Sequence, residues 1–520
     1  MLLPAAPFSA VPMLFLVAAD SDLLLFLKEA HALLSDAPTL VERVDADLDA
    51  HGRNKKAMRL ADKEWMAEHT APLPGVALAS AGVDAAKLIL EQGRPRTPAY
   101  VVAVVLLLRG YFGAGFKSWD SATMMLESTS LQVLFANLGL RMPKPSTLTE
   151  LVNAVSNATR SSFLDAQVAR VMDLGFDDFS VMLQDSTHVE GNTAWPTDSR
   201  LMVDLVDRLL RVGSRLGCLG LLAFDFPTVR RHLRTMRLLD RAIAMAKGSR
   251  AGARVRKQRY GQILWRAQRV RKLLTGKVVQ VEAALASLDV LPSRKAMAER
   301  AVLRLRTDVD ALTTVIAACT ARVVEEKKVS IADKKLSVSD PDAGFIAKGQ
   351  RVPVIGYKPQ VARSGAGFIT GLVLPQGNAA DSGQLVPMVD EVVRRTGIVP
   401  SILSVDDGYA SAANKKAMQD QGIKVVSING SKGRALTEQA AWDSTEYAEA
   451  RNLRSAVESL MYTLKQGFDF GEVARRGLAE VHGELLEKAL AFNLCHVVRK
   501  RLASEAAAAT DTERVFDQAA

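Results

Sequence analysis

Two short apolar runs in this chain each end in an aspartate, and a long stretch of helical periodicity separates them. The runs are Phe179-Ser180-Val181-Met182-Leu183-Gln184-Asp185 and Ile402-Leu403-Ser404-Val405-Asp406. Such a run, bounded by polar residues, reads as a buried strand that delivers a carboxylate at its end. Between them, Ile263, Ala267, Val270, Leu274, Val278, Val281, Leu285 and Leu288 recur at alternating three/four spacing. Val302, Leu305, Val309, Leu312, Ile316, Cys319 and Val323 repeat that spacing after a turn at Pro292-Ser293. Two apolar seams joined by a short turn predict an antiparallel helical hairpin.

From about residue 336 the period becomes that of strands. Val352 to Ala362 and Phe368 to Leu374 read as two strands, with Arg363-Ser364-Gly365-Ala366-Gly367 as the turn. A helix through Leu385, Val389, Val392 and Val393 precedes the second acid-ended run. A helix to Gln421, a strand from Ile423 to Ile428 and a long helix from about Glu446 follow it. This order suits an α/β protein with a ribonuclease H-like mixed-sheet core. The expected organisation is a helical N-terminal region (1–175), the first part of the core (176–203), a basic helical insertion after the first core strand (204–328), the remainder of the core (329–502) and a tail (503–520).

The N-terminal region carries an amphipathic stretch with Leu24, Leu25, Leu27, Leu33 and Leu34, and a break at Gly93-Arg94-Pro95-Arg96-Thr97-Pro98. Thr147-x-x-Glu150 has the form of a capping box, predicting one helix from there through Val171 to a stop at Gly175. Short capped helices of this kind suit a DNA-binding helix-turn-helix and a helical packing layer equally.

Charge is concentrated. The chain has net charge +10, yet Arg208 to Lys277 alone holds 19 Lys/Arg against two acids, Asp225 and Asp240. A solvated helix face usually mixes signs, so a block this one-sided points to a polyanion, either nucleic acid or an anionic membrane. Arg259, Arg266, Arg269, Arg271 and Lys272 lie outside the apolar seam and are the candidate DNA contacts. A membrane role is not expected. Met1 to Ala19 is apolar but lacks a basic start and is interrupted by Pro4, Pro7 and Pro12. Ala99 to Leu108 is about half the length of a membrane span. Cys218, Cys319 and Cys495 are too widely spaced for a disulfide scaffold or a Cys-based zinc module, and read as thiols of a cytoplasmic protein.

The chemistry rests on three acids. Asp185 and Asp406 end their strands, and Glu458 falls in a helix whose apolar positions are Leu453, Val457, Leu460, Met461 and Leu464. Carboxylates of this kind hold two metal ions that activate a water and stabilise the leaving oxygen of a phosphodiester. Oxygen ligands suit Mg²⁺ or Mn²⁺. Lys465 follows Glu458 by almost two helical turns, so it shares that face and can reach a DNA phosphate.

Several segments resemble bacterial insertion-sequence DDE transposases. Gln184-Asp185-Ser186-Thr187-His188-Val189-Glu190, followed by Pro196-Thr197-Asp198-Ser199-Arg200-Leu201, looks like that family's first-aspartate motif. Gly377-Asn378-Ala379-Ala380-Asp381 is similar to its Gly-Asn-Pro/Ala-Asp turn, and Val405-Asp406-Asp407-Gly408-Tyr409 to the strand with the second aspartate. Arg454-Ser455-Ala456-Val457-Glu458, with Leu464-Lys465 and Asn493-Leu494 beyond, resembles the segment carrying the glutamate. The resemblance spans about 140–500 and departs at Ser186, where the family usually has Thr.

It implies metal ligands at Asp185, Asp406 and Glu458, with Asp407 as the neighbour competing with Asp406. It also implies cleavage and strand transfer at insertion-sequence ends, with terminal inverted repeats and target DNA as partners. A homodimer or larger synaptic assembly at the nucleoid would be expected. Glu190 and Asp198 match motifs without a derivable role. The alternatives are a ribonuclease H-like nuclease without strand transfer, and a decayed derivative that only binds DNA.

Overall fold

The computed structural model describes residues 21–69, 96–112, 132, 136, 144–223, 225–246, 249–331, 333–347 and 352–519. The apolar start from Met1 to Ala19 and the Gly93–Pro95 part of the predicted break lie outside these residues. The chain divides into two compact units, one of 1–51, 96–192 and 342–520, the other of 52–95 and 193–341.

The first unit is built on a five-stranded sheet ordered β6-β5-β1-β7-β8. Its strands are β1 (Val181–Ser186), β5 (Gln360–Ser364), β6 (Ile369–Val373), β7 (Ile402–Asp406) and β8 (Val425–Asn429). β1 pairs antiparallel with β5 and parallel with β7, and β7 pairs parallel with β8. The sheet is therefore mixed, with three parallel strands in a row. Met182, Leu403, Val405, Val426 and Ile428 pack against Leu385, Met388, Val389, Val392 and Met418 of the helices Leu385–Thr396 and Ala412–Asp420. Gly367, at φ +102°, closes the hairpin between β5 and β6, a conformation that favours glycine.

A small second sheet in the same unit orders β2 (Val189–Glu190), β4 (Val354–Tyr357) and β3 (Gly344–Ile346). The single strand expected over Val352 to Ala362 is thus two strands in different sheets. Pro359 falls at the break, where a residue without an N–H cannot continue a ladder.

Helices surround the sheet. Ala99–Tyr111 is apolar all round and buried from Val101 to Gly110, packed against the long helix Leu478–Ala519. Glu487, in that long helix, takes hydrogen bonds from Arg109 Nε at 2.6 Å, Arg160 Nε at 2.8 Å and Arg475 Nη2 at 2.9 Å. The helix expected from the Thr147/Glu150 capping box to Gly175 is instead two helices, Pro145–Ala154 and Asn157–Asp173. Ser156 caps the second one by accepting from Thr159 N at 3.1 Å. Thr147 sits inside the first, and Glu150 pairs with His51 at 2.8 Å. The long helix expected from Glu446 likewise breaks at Leu453 into Thr445–Asn452 and Arg454–Gly467.

The second unit is helical. Asp198–Cys218, Phe226–Ala244, Arg250–Ala286 and Pro292–Cys319 bury one apolar core, and the seam residues Ile263, Ala267, Val270, Leu274, Val302, Leu305, Val309 and Leu312 are all in it. The predicted hairpin is the pair Arg250–Ala286 and Pro292–Cys319, turned at Pro292. Asp308 is fully buried and answered by the Arg208 guanidinium, whose Nε donates at 2.7 Å.

Candidate active site

β1 is the middle strand of the main sheet and is buried from Met182 to Ser186, which carries Asp185 into the protein interior. The register with β7 pairs Val181 with Ile402, Met182 with Leu403 and Leu183 with Ser404. The same offset, followed two residues further, sets Asp185 opposite Asp406. On the other side of β7, Asp406 pairs in register with Asn429 of β8. The carboxyl ends of three parallel strands thus present Asp185, Asp406 and Asn429 in one row. Asp185 Oδ1 accepts from Ser186 N at 2.7 Å, and Asp406 Oδ1 accepts from Gly408 N at 2.9 Å.

A third carboxylate joins these two. Asp381 follows the turn that begins at Gly377, and a Cβ built on Gly408 would stand 2.9 Å from Asp406 Oδ1 and 3.0 Å from Asp381 Oδ2. Both carboxylates therefore converge on the same glycine, which leaves room for them. Lys358 Nζ pairs with Asp381 Oδ1 at 2.9 Å, and Gln360 Nε2 donates to the same oxygen at 2.8 Å. Gln360 Oε1 in turn accepts from the Tyr409 hydroxyl. Burial pushes the Tyr409 phenol well above its ordinary value, and the charges of Asp381, Asp185 and Asp406 push it further in the same direction. Tyr409 is thus a buried, neutral donor beneath the acids.

Asp407 points elsewhere. Its Oδ1 accepts from Lys432 N and Gly433 N, each at 2.9 Å, and its Oδ2 accepts from Ser431 Oγ at 3.3 Å. Burial works against its charge, but the Gly433 and Lys432 amides outweigh that and hold its carboxyl below the usual value. Asp407 therefore closes the first turn of the short helix Ser431–Ala435, and Asp406 is left as the acid at the strand end.

Glu458 lies on the helix Arg454–Gly467, which packs against β1 and β7, the two strands that carry the aspartates. Arg363 of β5 ties this helix down by donating to the Ala456 carbonyl. The Glu458 side chain is 64% exposed and pairs with Arg454 at 3.3 Å, so the structure does not gather it with Asp185 and Asp406. Among the described residues no group of three or more His, Cys, Asp or Glu is close enough to hold a metal ion. The donors at the strand ends are nonetheless all oxygen, which fits a hard divalent cation. Lys465 sits in the last turn of the same helix, half-buried, with its stem against Gly471.

The remaining motif residues hold structure. Glu190 pairs by its backbone with the 471–473 segment, Gly471 O accepting from Glu190 N at 2.8 Å. In the helical unit, Thr197 caps the helix Asp198–Cys218 by accepting from Arg200 N at 3.2 Å, and Asp198 pairs with Arg322 at 2.5 Å. Of the basic candidates, Arg269 and Lys272 are exposed, while Arg259, Arg266 and Arg271 are half-buried. Arg259 donates to the Ala242 carbonyl, which fastens neighbouring helices together. Arg266 and Arg269 lie 5.5 and 5.2 Å from the centre of the exposed Trp265 ring, within cation–π range.

Two members of the site went unassigned in the sequence. Asp381 was visible only as part of a motif turn, and Asn429 ends a strand without being acidic, so neither carried a local signal of its role.

A mixed sheet with two carboxylates side by side at the ends of parallel strands defines an α/β protein consistent with a ribonuclease H-like catalytic domain. Residues 314–494 match the family described as Transposase DDE domain. That match supports an insertion-sequence DDE transposase family for this chain, and with it a nucleic-acid-processing enzyme of transposase function. It includes Asp406 and Glu458 and begins downstream of Asp185. No curated protein and no solved structure matches the chain. Among the described residues no helix is long and apolar enough to cross a membrane.

Proposed function

We propose that this protein is a DDE transposase that cleaves DNA at the ends of an insertion sequence and joins those ends to target DNA. The observation that carries the reading is the placement of Asp185 opposite Asp406 on adjacent parallel strands, inside a core matched as a transposase domain. In this reading Asp185, Asp406 and Glu458 hold Mg²⁺ or Mn²⁺. Bound there, divalent ions activate the attacking oxygen and stabilise the leaving one.

The protein supplies position and charge. Asp185 is fixed by the central strand and Asp406 by the turn that its own side chain caps. Glu458 rides on a helix already seated on both strands, and leaves Arg454 to join them when DNA occupies the edge. Lys465 holds a phosphate beside the scissile bond. Arg259, Arg266, Arg269, Arg271 and Lys272 of the helical unit grip the backbone of the terminal inverted repeat. Water attacks the phosphorus at the transposon end and releases a 3′-hydroxyl, which then attacks a phosphodiester of the target. Both steps are phosphoryl transfers without a covalent protein intermediate. Joining two ends calls for a dimer or a larger synaptic assembly.

The test is Mg²⁺- or Mn²⁺-dependent cleavage of DNA carrying the element's own ends, comparing wild type with Glu458→Gln. The expected result is cleavage by wild type alone, with DNA binding kept by the variant. Equal cleavage by both removes Glu458 from the site. Tight binding without cleavage by either makes the chain a decayed DNA-binding derivative, and cleavage without joining makes it a nuclease.

A further inference from the structure

The ion pair between Lys358 and Asp381 has no part in the chemistry proposed above, yet it stands against it. Lys358 is the residue at which β4 leaves the small sheet, one position before Pro359 and two before β5 begins in the main sheet. From there its ammonium reaches across to the 377–381 turn, pairing with Asp381 Oδ1 at 2.9 Å and donating to the Ala379 carbonyl at 3.3 Å. Both side chains are largely buried, at 12% and 13% exposure. An ammonium is costly to bury unless a nearby negative charge answers it, so its position follows the acids. The other Asp381 oxygen, Oδ2, approaches Gly408 together with Asp406 Oδ1. Gln360 fixes Asp381 from the sheet and Tyr409 fixes Gln360, so the carboxylate is held from three directions.

We propose that Asp381 is a third carboxylate of the cation-binding edge formed by Asp185 and Asp406, and that Lys358 is its built-in counter-ion, which positions Asp381 and competes with a divalent cation for it. This inference rests on the reading of that edge as a metal site. The electrostatics have a definite direction. Three carboxylates crowded at strand ends repel one another, and one buried ammonium relieves that repulsion when no metal is bound. The same ammonium lowers the edge's attraction for a dication. Removing its charge therefore strengthens cation binding, whereas removing the Asp381 charge weakens it. A pair that only braced the turn would move neither.

The experiment is titration of the full chain with Mn²⁺, followed by the loss of the free-ion electron paramagnetic resonance signal. Wild type, Lys358→Gln, Asp381→Asn and Asp406→Asn are compared, with the folding of each checked by circular dichroism. Groups adjoining a metal's direct ligands typically change its affinity by about 10-fold or more. Lys358→Gln is expected to tighten Mn²⁺ binding on that scale and Asp381→Asn to weaken it, with Lys358→Arg close to wild type. Unchanged affinity in both Lys358→Gln and Asp381→Asn, with binding lost in Asp406→Asn, overturns the inference and leaves the metal site standing. Lowered melting temperatures with unchanged affinity make the pair a brace, which also overturns it. No Mn²⁺ binding by wild type removes the metal site itself and the inference with it.

Discussion

Asp185 and Asp406 occupy matching positions on neighbouring parallel strands, although more than two hundred residues of sequence lie between them. The relationship comes from the pairing of Leu183 with Ser404, which fixes how far each strand extends toward the shared edge. A slip of one residue would turn one carboxylate to the opposite face of the sheet. The catalytic reading therefore depends on register as much as on residue type, and it separates neighbours that composition cannot.

Asp406 and Asp407 should behave as different residues. Asp406→Asn is expected to abolish end cleavage with little effect on stability. Asp407→Asn is expected to cost about 1 kcal/mol, the usual loss of a helix-capping contact, because the Lys432 and Gly433 amides lose their charged acceptor. The Asp407 carboxyl is held below its ordinary value of 3.8 in the folded chain. Its stabilisation is thus present above that pH and disappears as pH falls through the lower, folded value. Thermal melting should show wild type above Asp407→Asn at pH 7, with the gap closing below about pH 3.8. A gap that persists in acid would falsify the capping assignment.

Glu487 anchors the first unit. Its carboxylate is almost fully buried and receives Arg109, Arg160 and Arg475. Glu487→Gln leaves three guanidinium groups around a neutral side chain, and breaking a buried pair in this way costs about 3–5 kcal/mol. Denaturant unfolding should register that loss. A change under about 1 kcal/mol would mean that water reaches the cluster.

The basic helix should read out through salt. Each phosphate contact contributes about 0.9 to the slope of log affinity against log salt on duplex DNA. Arg266→Gln with Arg269→Gln is expected to lower that slope by about 1.8. Trp265 lies beside both arginines, so its fluorescence should change on DNA binding in wild type and change less in the double variant. An unaltered slope would move the DNA contact away from this helix.

Tyr409 serves as a buried donor and not as a nucleophile. Tyr409→Phe removes the hydroxyl that donates to Gln360 and should cost about 1 kcal/mol through the lost hydrogen bond. Cleavage should persist, reduced only as far as Gln360 and Asp381 lose their alignment. With the phenol pushed well above its ordinary value of 10, activity should show no tyrosine ionisation up to that pH. Complete loss of cleavage in a folded Tyr409→Phe variant would give the hydroxyl a direct chemical role.

Gly356 tests the small sheet. A Cβ there would lie 1.9 Å from the Val189 carbonyl oxygen, so Gly356→Ala must push β4 away from β2. Hydrogen exchange should show the Gly191 amide, which donates to Ile355 O at 2.9 Å, losing protection first. Unchanged protection there would mean that the strands separate without losing that bond.

Much of the architecture is local in origin. The seam from Ile263 to Leu288 marks one helix because a helix brings every third or fourth residue to one face, whatever it packs against. The runs ending at Asp185 and Asp406 announce strands for a similar reason, since an unbroken apolar run suits a strand buried on both faces. The helix breaks at Val155-Ser156 and Leu453 were less legible. Thr147 and Glu150 formed a plausible cap in sequence, but Pro145 already supplies the start and Ser156 caps a separate helix. The split strand at Lys358-Pro359 followed from which sheet each half joins, and periodicity carries no record of that.

By itself, then, the sequence determined which segments are helices and strands, where the positive charge collects, and which acids end strands. The tertiary structure alone decided that Asp185 meets Asp406, that Asp407 turns away to cap Ser431–Ala435, and that Asp381 and Lys358 stand beside the edge. The physical reason is range. Side-chain periodicity is set by the backbone within a few residues, whereas register and the company a carboxylate keeps are set by segments that meet only when the sheet assembles.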